Sequence, residues 1–134
     1  VFPVQGSYAF SGADGRYGAG RGDHVHAGQD LPATAGTPLV AVVNGIIATR
    51  AYQAGGAGNY VVLRGDDGFD YVYMHLRKPA LSKPGQRVAA GQQLGEVGAT
   101  GRASGPHLHF EIWTAHWYAG GHHFDPLPPL LAWR

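Results

Sequence analysis

Ser104-Gly105-Pro106-His107-Leu108-His109-Phe110-Glu111-Ile112 decides how the rest of the chain is read. Past its glycine-proline entry, polar and apolar residues alternate. His107, His109 and Glu111 share one parity, and Leu108, Phe110 and Ile112 share the other. A strand sends alternate side chains to opposite faces, so the pattern predicts a strand with one face on a core and two imidazoles on the other. Two histidines on one face are half of a metal or acid–base site.

Upstream lies a second histidine cluster, His24-Val25-His26-Ala27-Gly28-Gln29-Asp30-Leu31. If Gln29 to Leu31 is extended, His26, Gly28 and Asp30 share parity and converge on one point. Between the two clusters, Leu39 to Thr49 reads as two β-branched runs joined by Asn44-Gly45, a hairpin signal. Asn59 to Arg64 and Phe69 to Leu76 read as strands joined by an Asp66-Asp67-Gly68 turn, and alternation puts His75 with Tyr71 and Tyr73 on the more polar face. Short strands with turns at Pro84-Gly85 and Ala90-Gly91 follow, then a polar, glycine-bearing loop from Thr100 to Gly105.

The ends read as irregular. Residues 1 to 23 mix Tyr8, Phe10 and Tyr17 with many glycines, with one short strand expected near Ser7 to Phe10; the tail after Trp113 ends in Pro126, Pro128 and Pro129. The only helix candidate is a weak one near Ala80, so the fold class is all-β: short antiparallel strands with glycine-rich loops around a groove.

At 134 residues the chain is read as a single domain, 1–134. Charged residues make up 14% and the formal net charge is +1, which offers little support for nucleic-acid binding. No cysteine is present, so disulfides and thiolate zinc sites are excluded. No apolar run reaches transmembrane length, and the start at Val1-Phe2-Pro3 reads as a mature or excised domain. Eight histidines direct attention to a metal.

The metal-site candidates are His24, His26, Asp30, His75, His107 and His109, each at a strand end or in a flanking loop. Zinc accepts imidazole nitrogen and carboxylate oxygen, and catalytic zinc keeps a fourth position for water. Spacing alone does not choose among the six. Copper, iron and manganese stay open, and a cupin-like metal barrel fits the same residues almost as well.

His26-x-x-x-Asp30, then Tyr73-Met74-His75-Leu76, then Gly105-Pro106-His107-Leu108-His109-Phe110-Glu111 resemble the motifs of the lysostaphin-type (β-lytic) zinc metallopeptidases, which are peptidoglycan endopeptidases. Gly58 to Leu63, Gly91 to Gly95 and Val97 to Gly101 resemble family segments in the same order, and the family-like core runs from about 20 to 113. The resemblance implies a fold of the duplicated-hybrid-motif kind, one Zn²⁺ ion held by His26, Asp30 and His109, and catalytic His75 and His107 left unligated beside it. It implies hydrolysis of peptide bonds in peptidoglycan stems or cross-bridges, by water that the metal activates. It also implies work outside the cytoplasm, secreted or in the cell wall or periplasm, with a peptidoglycan peptide as partner. Neither nucleic acid nor membrane insertion is expected, and no feature asks for a dimer.

The chain has no His-Glu-x-x-His, whose glutamate is the base of other zinc proteases, so His75 and His107 are expected to manage the proton and the oxyanion. His24 is read as a groove or loop residue, and His116, His122 and His123 as solvated. Glu111 is read either as orienting a metal ligand from behind or, by preference, as finishing its strand on the polar face, and Tyr60, Tyr71 and Tyr73 as packing and rim residues. Gln29 stands where many relatives carry an aliphatic residue; by parity it points away from the metal. The competing reading is a wall-binding or regulatory module that keeps the fold without hydrolysis, which the complete ligand set disfavours. The scissile bond stays open among glycyl–glycine, D-alanyl–diaminopimelate and stem-peptide bonds.

Overall fold

Alternation along the chain builds antiparallel sheets, as the all-β reading predicts. The computed structural model describes residues 1–12, 15–20, 26–114, 116–117 and 119–134. Its elements are β1 (Gln29–Pro32), β2 (Pro38–Val40), β3 (Gly45–Gln53), β4 (Gly58–Gly65), β5 (Phe69–Leu76), β6 (Arg87–Val88), β7 (Gln93–Glu96), β8 (His107–Thr114), β9 (His123–Phe124) and α1 (Leu127–Trp133). The main sheet runs β1-β8-β5-β4-β3-β6, with β9 added alongside β8, and β2 pairs with β7 in a second, two-stranded sheet.

β8 sits between β1 and β5. Its apolar parity behaves as expected: Leu108 and Phe110 are fully buried and Ile112 is 2% exposed. They join Leu31, Val61, Leu63, Tyr71, Tyr73 and Leu76 in the main core. Burial of each large side chain contributes about 1.5–3 kcal/mol. The opposite face carries a smaller cluster, Val62, Val72 and Trp113, flanked by Tyr60, Met74 and Trp117. The site is built on this second face.

Four local expectations change. Asn44-Gly45 does not close a hairpin, because the two runs it separates enter different sheets, β2 with β7 and β3 with β4 and β6. Gly45 is needed for close approach instead: a Cβ there would collide with the Arg64 carbonyl. Asn44 ties the sheets together, accepting from Ala90 N through its side chain (2.8 Å) and from Asp66 N through its carbonyl (2.9 Å).

The expected strand near Ser7 to Phe10 reduces to a single bridge, Tyr8 to Ala33. The weak helix near Ala80 is absent. Helix forms in the tail, where Pro128 and Pro129 fall in the first turn of α1 and Leu130 is fully buried. Proline suits that turn, since its missing N–H would have no partner there.

Tyr71 and Tyr73 do not lie on a polar face. They are 3% and 0% exposed, and the Tyr73 hydroxyl donates to Val40 O (2.9 Å) and accepts from Val42 N (3.1 Å). His75 therefore reaches its position by a different route from the one alternation suggests.

Candidate active site

β1 and β8 bring the first two polar residues together by register. Asp30 lies directly opposite His109, and directly opposed residues share a face. His26, in the segment entering β1, reaches the same point. Its Nε2 lies 2.9 Å from His109 Nδ1 and 3.3 Å from Asp30 Oδ1, and His109 Nδ1 lies 3.0 Å from the same oxygen. All three side chains are buried or half-buried.

The far side of each ring explains why this triangle is unusual. His26 Nδ1 meets the Arg16 carbonyl at 2.9 Å, and a carbonyl only accepts, so the hydrogen is on Nδ1 and Nε2 carries a lone pair. His109 is held the other way round: its Nε2 donates to Glu111 Oε2 at 2.7 Å, leaving a lone pair on Nδ1. Three lone-pair atoms thus face one another with no hydrogen among them. Only a cation or an added proton reconciles them. A tetrahedral zinc with bonds of about 2.0–2.1 Å has ligand atoms about 3.3 Å apart, so the donor set fits such an ion in both chemistry and spacing.

Burial alone would lower the His109 pKa, but hydrogen bonds to Asp30 and Glu111 outweigh it and raise the value to about 9. Burial alone would raise the Asp30 carboxyl, yet the bonds from His109 and His26 hold it well below the usual carboxylate range.

His75 arrives by a β-bulge. Asn59 pairs with Leu76 and Val61 with Tyr73, so Met74 and His75 together face the single residue Tyr60. His75 has φ +64°, the one positive φ outside glycine among the described residues. Bulges re-aim side chains, and a non-glycine residue in the left-handed region costs of order 1 kcal/mol or more. Here the extra residue keeps Tyr73 and Leu76 in the core while Met74 and His75 both line the cleft.

The ring is pinned by Nδ1 donating to Thr100 O (2.8 Å), which leaves Nε2 unprotonated. Burial pushes its pKa down to about 4, against that carbonyl bond. His107 is held likewise, with Nδ1 donating to Gly105 O (2.9 Å) and Nε2 lying 3.6 Å from Asp30 Oδ1. The His75 and His107 ring centres are 4.7 Å apart, and those of His75 and His109 are 6.1 Å apart. These residues line a cleft of about 450 Å³, whose walls include Gln53, Gly56, Met74, Arg102 and Ser104.

Glu111 does more than finish a strand. It is 4% exposed, one oxygen on His109 Nε2 and the other accepting from Trp113 Nε1 at 2.7 Å. The shared parity of His107, His109, Glu111 and Trp113 contained this information, because i and i+2 neighbours on one strand face touch. Gln29 is buried, lies outside the cleft, and donates to Asp30 O at 3.1 Å. His116 and His122 are exposed, whereas His123 is half-buried and bonded to the Tyr17 hydroxyl at 2.7 Å. His24 lies outside the described residues.

Comparison with known proteins meets this geometry from the other side. The sequence profile of peptidase family M23 matches residues 24–126. The chain belongs to peptidase family M23. Peptidoglycan DD-endopeptidase ShyC of Vibrio cholerae is 42% identical over 88 residues, which make up 66% of this chain and 20% of that protein. The catalytic domain of the antimicrobial peptidase lysostaphin from Staphylococcus simulans superposes with a TM-score of 0.80 at 34% identity, covering 92% of both chains.

A zinc-containing peptidase from Vibrio cholerae superposes with a TM-score of 0.71 at 33% identity, covering 83% of this chain and 35% of that one. This M23 chain spans 18–23% of the length of curated relatives such as these. No described helix is long and apolar enough to cross a membrane.

Proposed function

We propose that this M23 chain is a zinc endopeptidase that hydrolyses peptide bonds in peptidoglycan stems or cross-bridges, acting outside the cytoplasm, with residues 1–134 working as one domain. The observation that carries the reading is the triangle of lone pairs on His26 Nε2, His109 Nδ1 and Asp30 Oδ1, 2.9 to 3.3 Å apart. These three residues would hold the ion. Bound there, it supplies Lewis acidity, acidifying a water molecule and polarising the scissile carbonyl. The names of relatives such as the DD-endopeptidase of Vibrio cholerae support peptidoglycan as the substrate.

The remaining work falls to the chain's own residues. His75 and His107 each have Nδ1 committed to a carbonyl, so each offers Nε2 as the atom that takes up a proton. The pair receives the proton released as water attacks, steadies the oxyanion once a ring is protonated, and returns the proton to the leaving amine. Glu111 holds the His109 ring in the tautomer that leaves a lone pair on Nδ1, facing His26 and Asp30, where it would serve a metal. The cleft of about 450 Å³ is bordered by two glycine-bearing loops, through Gly56 and Ala57 on one side and Arg102, Ala103 and Ser104 on the other.

The test is release of new amino termini from purified peptidoglycan. Chelation abolishes it, and Zn²⁺ added back restores it. Tight wall binding with no new termini in the zinc-loaded protein would favour the non-catalytic wall-binding reading.

A further inference from the structure

Arg102 stands apart from the sheet's arginines. Arg64 is paired with Asp70, Arg77 with Glu96 and Arg87 with Asp66, and Arg50 donates to the Ala80 carbonyl. Among the described residues, the Arg102 guanidinium has no hydrogen-bond or ion-pair partner, and Arg102, an exposed residue, lines the cleft that holds His75, His107 and His109. It is the only cationic side chain among the described lining residues apart from the histidines. Asp30, the only carboxylate among the described lining residues, is already engaged by His26 and His109. The cleft therefore presents one unneutralised, permanently charged donor.

Its base is held in place. Arg102 N donates to Gly56 O at 2.8 Å. Gly101, with φ +75°, packs so closely on Gly56 and Gly58 that a Cβ would strike their backbone. On the other side, Gly58 packs against the Thr100 carbonyl. The backbone that carries the arginine is thus locked to the turn before β4, a few residues from the His75 anchor at Thr100. A planar guanidinium on a fixed base suits bidentate recognition of a carboxylate.

We infer that Arg102 is a specificity-determining residue that binds a free carboxylate on the substrate residue adjoining the scissile amide. This rests on the peptidase reading above and narrows its substrate. A diamino-acid cross-link with a free carboxylate on the carbon that bears the leaving amine meets the requirement. A glycyl–glycine bridge has no such group.

Two synthetic cross-link peptides test this, identical except that one carries the free carboxylate and the other its carboxamide. The readout is the ratio of kcat/KM, acid over amide, for the zinc-loaded protein. The wild type should prefer the acid peptide by about tenfold, the order expected for a charge-assisted pair in a partly open cleft, mostly through KM. Arg102→Ala should bring the ratio to about one, and Arg102→Lys should recover part of it. Turnover of the amide peptide by the variants registers that they are folded. A wild-type ratio near one, or an unchanged ratio in Arg102→Ala, overturns the inference and leaves the peptidase reading standing. A wild type that cuts neither peptide overturns the reading beneath it.

Discussion

β8 and the end of β5 both deliver histidines to one cleft, and they do it by opposite means. On β8, His107 and His109 point into the cleft because a regular strand alternates, with Leu108 and Phe110 filling the core between and behind them. On β5, regular alternation would have carried His75 to the core side along with Tyr71 and Tyr73. One inserted residue with φ +64° turns it back. The first arrangement is also the relaxed one for the backbone. The second is strained and is held by Ala57 O on its N–H and Thr100 O on its ring, both at 2.8 Å.

His109→Ala removes a proposed ligand, and turnover should fall on the order of 10³-fold or more, with stoichiometric zinc lost, as read by metal analysis of the same sample. His75→Asn and His107→Asn should retain zinc but lower kcat by about 10²–10⁴-fold, the range for loss of a general acid or base. Asparagine tolerates the left-handed backbone at 75, so the two variants differ little in strain. Zinc loss in either would move that histidine from proton handling to ligation.

A smaller effect is expected one residue pair further along β8. Glu111→Gln keeps the shape but weakens the hold on the His109 tautomer, so zinc affinity should fall about 10–100-fold in competition with a chelator. Unchanged affinity would return Glu111 to a packing role. The smallest effect tests the backbone difference itself. Glycine in place of His75 should be more stable than alanine by about 1 kcal/mol, because φ +64° is free to glycine. At His107, within the regular strand, the order should reverse by roughly 0.5–1 kcal/mol. Thermal or denaturant unfolding of the four variants reads both signs.

This contrast also accounts for what could be read before the structure. β8 was legible because its alternation is uninterrupted, and the β4–β5 hairpin because Asp66-Asp67-Gly68 supplies a glycine with φ +88°. The bulge at Met74-His75 was not legible: no proline or glycine marks it, and the strain is carried by contacts from Ala57 and Thr100, distant in sequence. Asn44-Gly45 misled because the identity of a turn pair says nothing about which sheet each flanking run joins. α1 was hidden by the prolines that open it. Arg102 lay in a loop read only for its glycines, and its lack of a partner shows only beside the paired arginines Arg64, Arg77 and Arg87.

Under the proposed function, one zinc ion held by His26, Asp30 and His109 is required for peptide-bond cleavage. The most direct measurement titrates Zn²⁺ into metal-free protein, following bound metal and new amino termini from a defined cross-linked muropeptide in the same sample. Turnover should rise in proportion to bound zinc and level off at one ion per chain. Full turnover by the metal-free protein, or none at one bound ion per chain, would mean that zinc on these residues does not drive cleavage.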